Sequence, residues 1–403
     1  MSRVEVDSEK TENAGYSSND FLRARMHSML EFWSRTGWDG AAGLYLSDRD
    51  AAGRPRGTPV TTTSAARFLY MFAIGNGLGL GDYTLPVERC LRQLERATDP
   101  DNGGYFWELG APGKGGVGRR KVAYAHAFVL LGMSAAVAAR LVDPSAIEPV
   151  VEAIESHFRD AGTPLVVEEA SADWAHVPAY RGQNANMHLC EAYLEAFQAT
   201  SDRSFLDRAK QISAAIVDLV DSTNGVVWEH YGPNWRPDWH WAFDGTTAMY
   251  HPSGYVPGHW LEWAKLLLAL ATFSTGREAE ILRRRAVALY DAAWQRAWDS
   301  LGGGFAYTLD LEFKVNNQDR HHWPHAEGIA AAARLAAATG EARFKEDYAR
   351  LWAYVLDNFV TGPGAWQKRI RSEGSSAPAV IGDSLEPDYH SLSACHTALQ
   401  AGM

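Results

Sequence analysis

The sequence predicts an all-α chain, six helical hairpins closed into an (α/α)6 barrel, and three observations carry that reading. Apolar residues recur at three- and four-residue spacing along most of the chain, the period of helices with one buried face. Strand-like alternation is nearly absent. A Gly-centred turn followed by an aromatic also recurs, as Gly43-Leu44-Tyr45, Gly104-Tyr105-Phe106-Trp107, Gly225-Val226-Val227-Trp228, Gly303-Gly304-Phe305 and Gly364-Ala365-Trp366. The first and last intervals are 61 residues, and those between are 121 and 78. Because 121 is about twice 61, a degenerate mark is expected midway, and Gly162-Thr163-Pro164-Leu165 stands there without the aromatic. A repeat of about 60 residues holds two helices and a short hairpin. Six such units closed on themselves hide the apolar ends that an open solenoid must cap.

Taken in order, the first unit has helical periodicity from Phe21 to Trp33 and, after its mark, from Ala65 to Ile74. Val122 to Leu141, Met187 to Phe197 and Leu261 to Phe273 are the second helices of the next three units. Ile281 to Trp294 and Ile329 to Ala338 form the fifth pair, and Phe344 to Phe359 opens the sixth. The second helix of each unit is the more apolar, or carries the unusual polar residues, which is the pattern of an inner ring. An insertion lies between the fourth and fifth marks. His230 to His251, dense in Trp, Asp and His, is expected there as a lid that selects the substrate.

Composition bounds the function. With 403 residues, 46% of them hydrophobic, the chain can bury a large core, and we expect one barrel domain over 19–403 after a flexible 1–18. Net charge is −11 and the longest basic run is Arg283-Arg284-Arg285, which argues against nucleic acid and anionic membranes as partners. No stretch approaches the length of a membrane span, and the N-terminus lacks the apolar core of a signal peptide. Cys90, Cys190 and Cys395 are far apart and form no CxxC pair, as expected of reduced thiols in the cytoplasm.

Candidate chemistry collects at the starts of the second helices: Arg67; Tyr124; Asn184, Asn186 and His188; His259 and Glu262; Trp323 and Glu327; and His390. In a ring whose inner helices run parallel, these positions face one mouth and define a pocket. The densest stretch is Arg320-His321-His322-Trp323-Pro324-His325-Ala326-Glu327-Gly328. Pro324 suits the start of a helix, where its missing N–H costs nothing. Trp323 and Glu327, four apart, share a helix face and offer a sugar an apolar plane and a hydroxyl acceptor. His259 follows Pro-Gly, with Glu262 one turn on to orient it and stabilise its charge. His321, His322 and His325 raise a zinc reading that their spacing opposes, since helical neighbours point about 100° apart and no HExxH occurs. No metal and no cofactor is expected. The plain alternative for His188 is a cap or a satisfied interior group. Most tryptophans read as core, with Trp174 and Trp263 as further ring-stacking candidates.

Four segments stand in order on this repeat: Arg181-Gly182-Gln183-Asn184-Ala185-Asn186-Met187-His188, Pro257-Gly258-His259-Trp260-Leu261-Glu262-Trp263, His322-Trp323-Pro324-His325-Ala326-Glu327 and Asp388-Tyr389-His390. Through them the chain resembles the N-acylglucosamine 2-epimerase superfamily from Phe21 to Leu399, and within it the branch of mannose and sulfoquinovose isomerases. The resemblance implies an (α/α)6 barrel and a reaction at the reducing end of a sugar without metal or cofactor. It implies His259 and His390 as the acid/base pair, Arg67 and Glu262 as their catalytic partners, and Tyr124, Asn184, His188, Trp323 and Glu327 as the sugar-binding shell. The Asn-Met-His form of the first segment and the single Trp at 323, where epimerases tend to carry two, resemble the isomerase side. The expected partner is a monosaccharide, a neutral hexose in preference to a phosphorylated or sulfonated one, since the motifs bring no extra cationic cluster. Monomer and homo-oligomer both remain open.

These residue types suit aldose–ketose isomerisation between D-mannose and D-fructose, with D-lyxose and D-xylulose as a second pair. The ring opens, a proton leaves C2 and one returns to C1 through a cis-enediol. Imidazole titrates in the right range for a base that both takes and returns a proton, and Arg67 supplies a fixed cation for the developing oxyanion. His390 is assigned to the carbon-bound proton and His259 to ring opening and O1/O2 protons, although either order satisfies the residue types. Three alternatives stand beside this: 2-epimerisation on the same fold, a toroid glycoside hydrolase using two carboxylates among Glu262, Glu327 and Asp388, and a non-catalytic helical scaffold.

Overall fold

Helix α1 (Asn19–Thr36) begins where the Ser18 hydroxyl accepts the Phe21 N–H at 3.1 Å, a side-chain cap on an otherwise unpaired donor. The computed structural model describes residues 15–403 except 51–53, 56–59, 110–117, 242–250, 363, 371–384, 386 and 388. Eleven further helices follow among the described residues: α2 (Thr62–Gly77), α3 (Thr84–Glu95), α4 (Ala123–Ala138), α5 (Glu148–Ala153, prolonged by a π-helical turn over Ile154–Phe158), α6 (Gln183–Thr200), α7 (Arg203–Ser222), α8 (Pro257–Thr272), α9 (Gly276–Ala297), α10 (His322–Thr339), α11 (Ala342–Asn358) and α12 (Tyr389–Gln400).

The even-numbered helices form the inner ring. Fourteen of the sixteen residues of α4, and fourteen of the sixteen of α8, are buried, whereas α9 buries seven of 22. A helix apolar on every face must be enclosed, and one with a single apolar stripe lies at the surface. Helices α2, α4 and α6 pack closely in sequence, as do α8, α10 and α12, and two looser seams, α6 to α8 and α12 to α2, complete the circle. Helix α12 also packs on α1, so the last inner helix meets the first unit and the ring closes. The expected all-α (α/α)6 barrel is what the chain forms.

Local detail differs from the sequence reading in places. The helices expected from apolar periodicity do not include α3, α5, α7 or α12. In α3 the apolar residues are separated by charges, in α7 a regular buried stripe of Leu206, Ala209, Ile212, Ile216 and Val220 was present but passed over, and in α12 Ser391, Ser393 and Thr397 interrupt the stripe although all three are buried. Short antiparallel pairings of two or three residues join the loops at the mouth, such as Lys121–Val122 with Glu169–Ala170 and Arg181–Gly182 with His230–Tyr231.

All six marks turn through left-handed backbone. The φ angles are 64° at Gly43, 69° at Gly104, 80° at Gly162, 79° at Gly225, 82° at Gly304 and 90° at Gly364, where a Cβ is strained. At Gly364 a Cβ would also lie 1.9 Å from the Ser28 carbonyl oxygen. Each mark lies after an outer helix, and the fourth residue of four inner helices reaches back to the segment beyond it. His126 Nε2 accepts the Tyr105 N–H at 2.9 Å while Nδ1 donates to the Val122 carbonyl at 2.9 Å. His325 repeats this with the Phe305 N–H at 2.9 Å and the His321 carbonyl at 2.7 Å. Asn186 does the same with the Val166 N–H at 2.8 Å and the Gly182 carbonyl at 3.0 Å. Trp260 Nε1 donates to the Val227 carbonyl at 2.9 Å. These pins satisfy buried backbone groups and fix each hairpin on the first turn of its inner helix.

The histidine pins must stay neutral, because each Nε2 accepts a backbone N–H. Burial pushes His126 down to about 4 and His325 down to about 3. A base depressed in the folded state contributes full stability above its unfolded pKa of about 6.5, and that stability is lost as pH falls toward the folded value. Urea unfolding should therefore show stability declining below about pH 6.5, with His126 alone accounting for about 3 kcal/mol near pH 4. His126→Asn, the residue that does this work in the third unit, should flatten the decline at a neutral-pH cost within about 1 kcal/mol. An unchanged slope would place the acid sensitivity elsewhere.

Candidate active site

The second, sixth and ninth residues of the inner helices lie on one helical face, and this face looks along the barrel axis. The second positions include Tyr124, Asn184, Trp323 and His390; the sixth include Arg67, Phe128, His188, Glu262 and Glu327; the ninth include Tyr70, Glu191 and Lys265. His259, the third residue of α8, joins the uppermost layer.

Contacts run unbroken around the mouth through all six inner helices. Arg67 Nη2 of α2 donates to the Tyr124 hydroxyl of α4 at 2.8 Å. The Tyr124 ring meets His188 of α6 edge-on at 5.0 Å, and His188 Nδ1 lies 3.6 Å from Glu262 of α8. His259 of α8 faces Trp323 of α10 at 5.0 Å, and Trp323 faces His390 of α12 at 5.7 Å. The circuit closes where the Arg67 guanidinium lies 5.3 Å from the Tyr389 ring. The two expected acid/base histidines thus flank one indole. That indole lies across the start of α8 at Gly258, where a Cβ would come within 2.5 Å of it.

Each of these histidines is backed by a carboxylate. His259 Nδ1 donates to Glu229 Oε2 at 2.9 Å, and Glu229 also accepts Gln183 Nε2 at 2.8 Å. The Gln183 amide is set in turn by Trp263 Nε1, which donates to its oxygen at 2.7 Å. His390 Nδ1 donates to Glu327 Oε1 at 2.8 Å. With Nδ1 carrying the hydrogen, Nε2 of each ring holds the basic lone pair. Burial, with Arg67 as the next largest influence, holds His390 well below the usual imidazole range, so it is neutral and able to accept a proton.

Beneath this layer lies a cluster of charges with almost no access to water. Lys265, 3% exposed, places Nζ 2.8 Å from Glu327 Oε2, 2.9 Å from Glu191 Oε1 and 3.7 Å from Glu262 Oε1. Glu191 Oε2 accepts the Tyr389 hydroxyl and lies 3.5 Å from His188 Nδ1. Burial and the adjacent Glu327 push Glu262 well above the usual carboxylate range. Burial pushes His188 down to about 4. Ligand atoms of Glu262, Glu327 and His390, and of His188, Glu191 and Glu262, lie within 4.8 Å of one another, a spacing a divalent ion could use. The Lys265 ammonium is wedged among these same carboxylates, so a cation is already built into the chain.

Several expectations change. Glu262 was expected to hold His259; instead it reaches His188 and Lys265, because residues three apart on α8 diverge by about 60° and His259 leans over the seam to Glu229. The zinc reading of His321, His322 and His325 fails on geometry: His321 stacks on Tyr307 at 3.9 Å, His322 Nδ1 donates to the Lys368 carbonyl at 3.1 Å, and His325 is a pin. Asn186 is also a pin. Trp263 orients Gln183, and Trp174 stacks on His157 at 4.3 Å with its Nε1 donating to the Asn102 carbonyl, so neither faces the sugar pocket. Asn184 lines a pocket with Tyr124, Trp107, Glu168 and His251. Of the expected lid, His230 and His251 bracket the Tyr180 hydroxyl at 3.0 and 3.1 Å; 242–250 and Asp388 lie outside the described residues.

Sequence reasoning missed Glu229, Gln183, Glu191 and Lys265. For Glu191 and Lys265 a signal existed: each is a charge in an apolar run, three residues beyond His188 and Glu262. Glu229 gives no such signal, since it stands in a loop and reaches His259 only through the fold.

Comparisons with known proteins place the chain in a family. A family model described as N-acylglucosamine 2-epimerase matches residues 44–394. A D-mannose isomerase of Marinomonas mediterranea is 30% identical over 96% of this chain and 98% of its own. One from Thermobifida fusca is 34% identical over 84% of each chain. A crystal structure of a D-mannose isomerase superposes with a TM-score of 0.86 at 29% identity, covering 96% of this chain and 98% of that one. The chain belongs to the N-acylglucosamine 2-epimerase family.

Proposed function

We propose that the protein is a sugar isomerase that interconverts D-mannose and D-fructose, with D-lyxose and D-xylulose as a second pair, by proton transfer through a cis-enediol. The observation that carries this reading is the pair of imidazole–carboxylate dyads, His259–Glu229 and His390–Glu327, on either side of Trp323. Isomerisation needs one base that takes a proton from C2 and returns it to C1, and a second group that moves protons on ring and hydroxyl oxygens. Two imidazoles, each anchored to a carboxylate through Nδ1, supply both. His390 is assigned to carbon because burial and Arg67 keep it unprotonated, and His259 to oxygen. Arg67, fixed by the Tyr124 hydroxyl, stabilises the enediolate. Trp323 gives the sugar its stacking plane, and Tyr124, Asn184 and His188 line its hydroxyls. Glu262 lies below them on the axis, its carboxyl pushed well above the usual range by burial.

The named relatives at 30% and 34% identity support mannose as substrate. A hydrolase would need two carboxylates at the sugar, whereas Glu229, Glu262 and Glu327 are 3%, 0% and 1% exposed and lie behind or beneath imidazoles. No helix among the described residues is long and apolar enough to cross a membrane, and the three cysteines are buried and far apart in the sequence, which suits the cytoplasm.

Run in deuterium oxide, the reaction should place solvent deuterium at C1 of fructose, read by proton NMR. Glucose labelled at C2 would indicate epimerisation, and fructose free of deuterium a hydride shift. His259→Ala and His390→Ala should each lower kcat on mannose by about 10²–10⁴-fold, while the unmutated protein releases no reducing sugar from a glycoside; such release would favour the hydrolase. Glu229→Gln should lower kcat on the order of 10²-fold with KM little changed, because the His259 tautomer is no longer fixed. A kcat within a factor of about two would remove Glu229 from the mechanism.

A further inference from the structure

Lys265 belongs to none of the segments that carry the sugar chemistry, yet it lies where their supports meet. Its ammonium, from α8, bridges Glu191 of α6 at 2.9 Å and Glu327 of α10 at 2.8 Å. The second oxygen of each carboxylate then serves the site: Glu327 Oε1 accepts from His390 Nδ1 at 2.8 Å, and Glu191 Oε2 takes the Tyr389 hydroxyl and faces His188 Nδ1 at 3.5 Å. A chain of contacts, His390–Glu327–Lys265–Glu191–His188, therefore passes through one buried nitrogen. We propose that Lys265 is a positioning residue that keeps Glu327 ionised and so fixes His390 in its Nδ1–H tautomer, with Nε2 free as the base.

The argument turns on what Glu327 becomes without the ammonium. Burial raises its carboxyl, and Lys265 is the largest influence pulling it back down. The groups facing Glu327 are Lys265 and Glu262 from α8, Glu191 and His188 from α6, and His390 and Tyr389 from α12, with Arg67 of α2 across the axis. With Lys265 neutralised, Glu327 loses the ammonium 2.8 Å from its Oε2, and a buried carboxylate that loses its adjoining charge takes up a proton instead. A protonated Glu327 donates where it had accepted. His390 Nδ1 must then accept, the hydrogen moves to Nε2, and the ring presents no lone pair to C2. Sugar contacts in the layer above are unchanged, so the loss falls on kcat.

The proposal rests on the isomerase reading for its kinetic consequence, but its core concerns a tautomer that can be read without any sugar. The test compares Lys265→Met, which keeps length and loses charge, with Lys265→Arg, which keeps charge. Imidazole nitrogen-15 shifts of the resting protein, with His390 assigned by its absence in His390→Ala, should show Nδ1–H in the unmutated protein and in Lys265→Arg, and Nε2–H in Lys265→Met. On mannose, Lys265→Met should lose kcat by about 10²-fold or more with KM within about threefold. The acid limb of its kcat–pH profile should move to higher pH as Glu327 deprotonates later, and Lys265→Arg should restore most of the rate. Should the Met variant not fold, Lys265→Gln, uncharged but polar, answers the same question. An Nδ1–H tautomer retained in the uncharged variant overturns the proposal, as does a kcat within about threefold of the unmutated enzyme. Failure of the isomerase reading would show separately, as no turnover of mannose by the unmutated protein whatever its tautomers.

Discussion

A carboxylate removed from water costs several kcal/mol unless a partner is fixed beside it, and this barrel places three of them on its axis beneath the mouth. Glu191, Glu262 and Glu327 all lie within 3.7 Å of the Lys265 ammonium. One positive charge cannot serve three negative ones at that distance, and the arrangement sorts them: Glu191 is held low, with Lys265 the strongest influence against its burial, while burial pushes Glu262 well above the usual carboxylate range. The histidines above inherit that division. His390 stands on a carboxylate that Lys265 also holds, and His188 lies between Glu191, held low, and Glu262, pushed up. The chemistry at the mouth depends on this sorting more than on any contact a sugar would make.

The ring is built to admit such a cluster. Its inner helices pack tightly within two groups of three and loosely at two seams, and polar residues collect at those seams. Gln183, His188 and Glu191 meet His259, Glu262 and Lys265 across one; Tyr389 meets Arg67 and Tyr70 across the other. The histidine pins, His126 in the second unit and His325 in the fifth, stand three units apart with the same bonds. Lys121–Asp99 at 2.9 Å and Arg320–Asp299 at 3.1 Å accompany them. The two halves are thus structural echoes of one three-hairpin pattern, and the pocket straddles the joins between them.

Much of this was legible in the residues, for physical reasons. The six glycine marks were visible because a left-handed turn leaves little choice of residue, and all six have positive φ. Inner-helix starts were visible because His259, Trp323 and His390 are costly to place in an apolar wall without purpose. Outer helix α3 was not, since single apolar residues among charges resemble a loop in sequence, whereas the stripe of α7 was legible and passed over. The pairing of His259 with Glu229 was hidden for another reason: it depends on a seam between helices that no local spacing encodes. The pins were half visible, for His325 drew notice as a histidine, but nothing in its local sequence shows that both its nitrogens serve the backbone.

Because the second residues of α4, α6, α10 and α12 all reach this mouth, the inner helices begin there, and their first-turn N–H groups lie around it. Each helix start carries about half a unit of positive charge. An anion formed at the mouth would therefore enter a field already positive from the backbone, with Arg67 adding to it, while Glu262, Glu327 and Glu191 lie one and two turns deeper. The barrel is polarised along its axis, positive at the rim and negative below, and that gradient favours electron density moving toward an oxygen at the rim over a proton left in the depths.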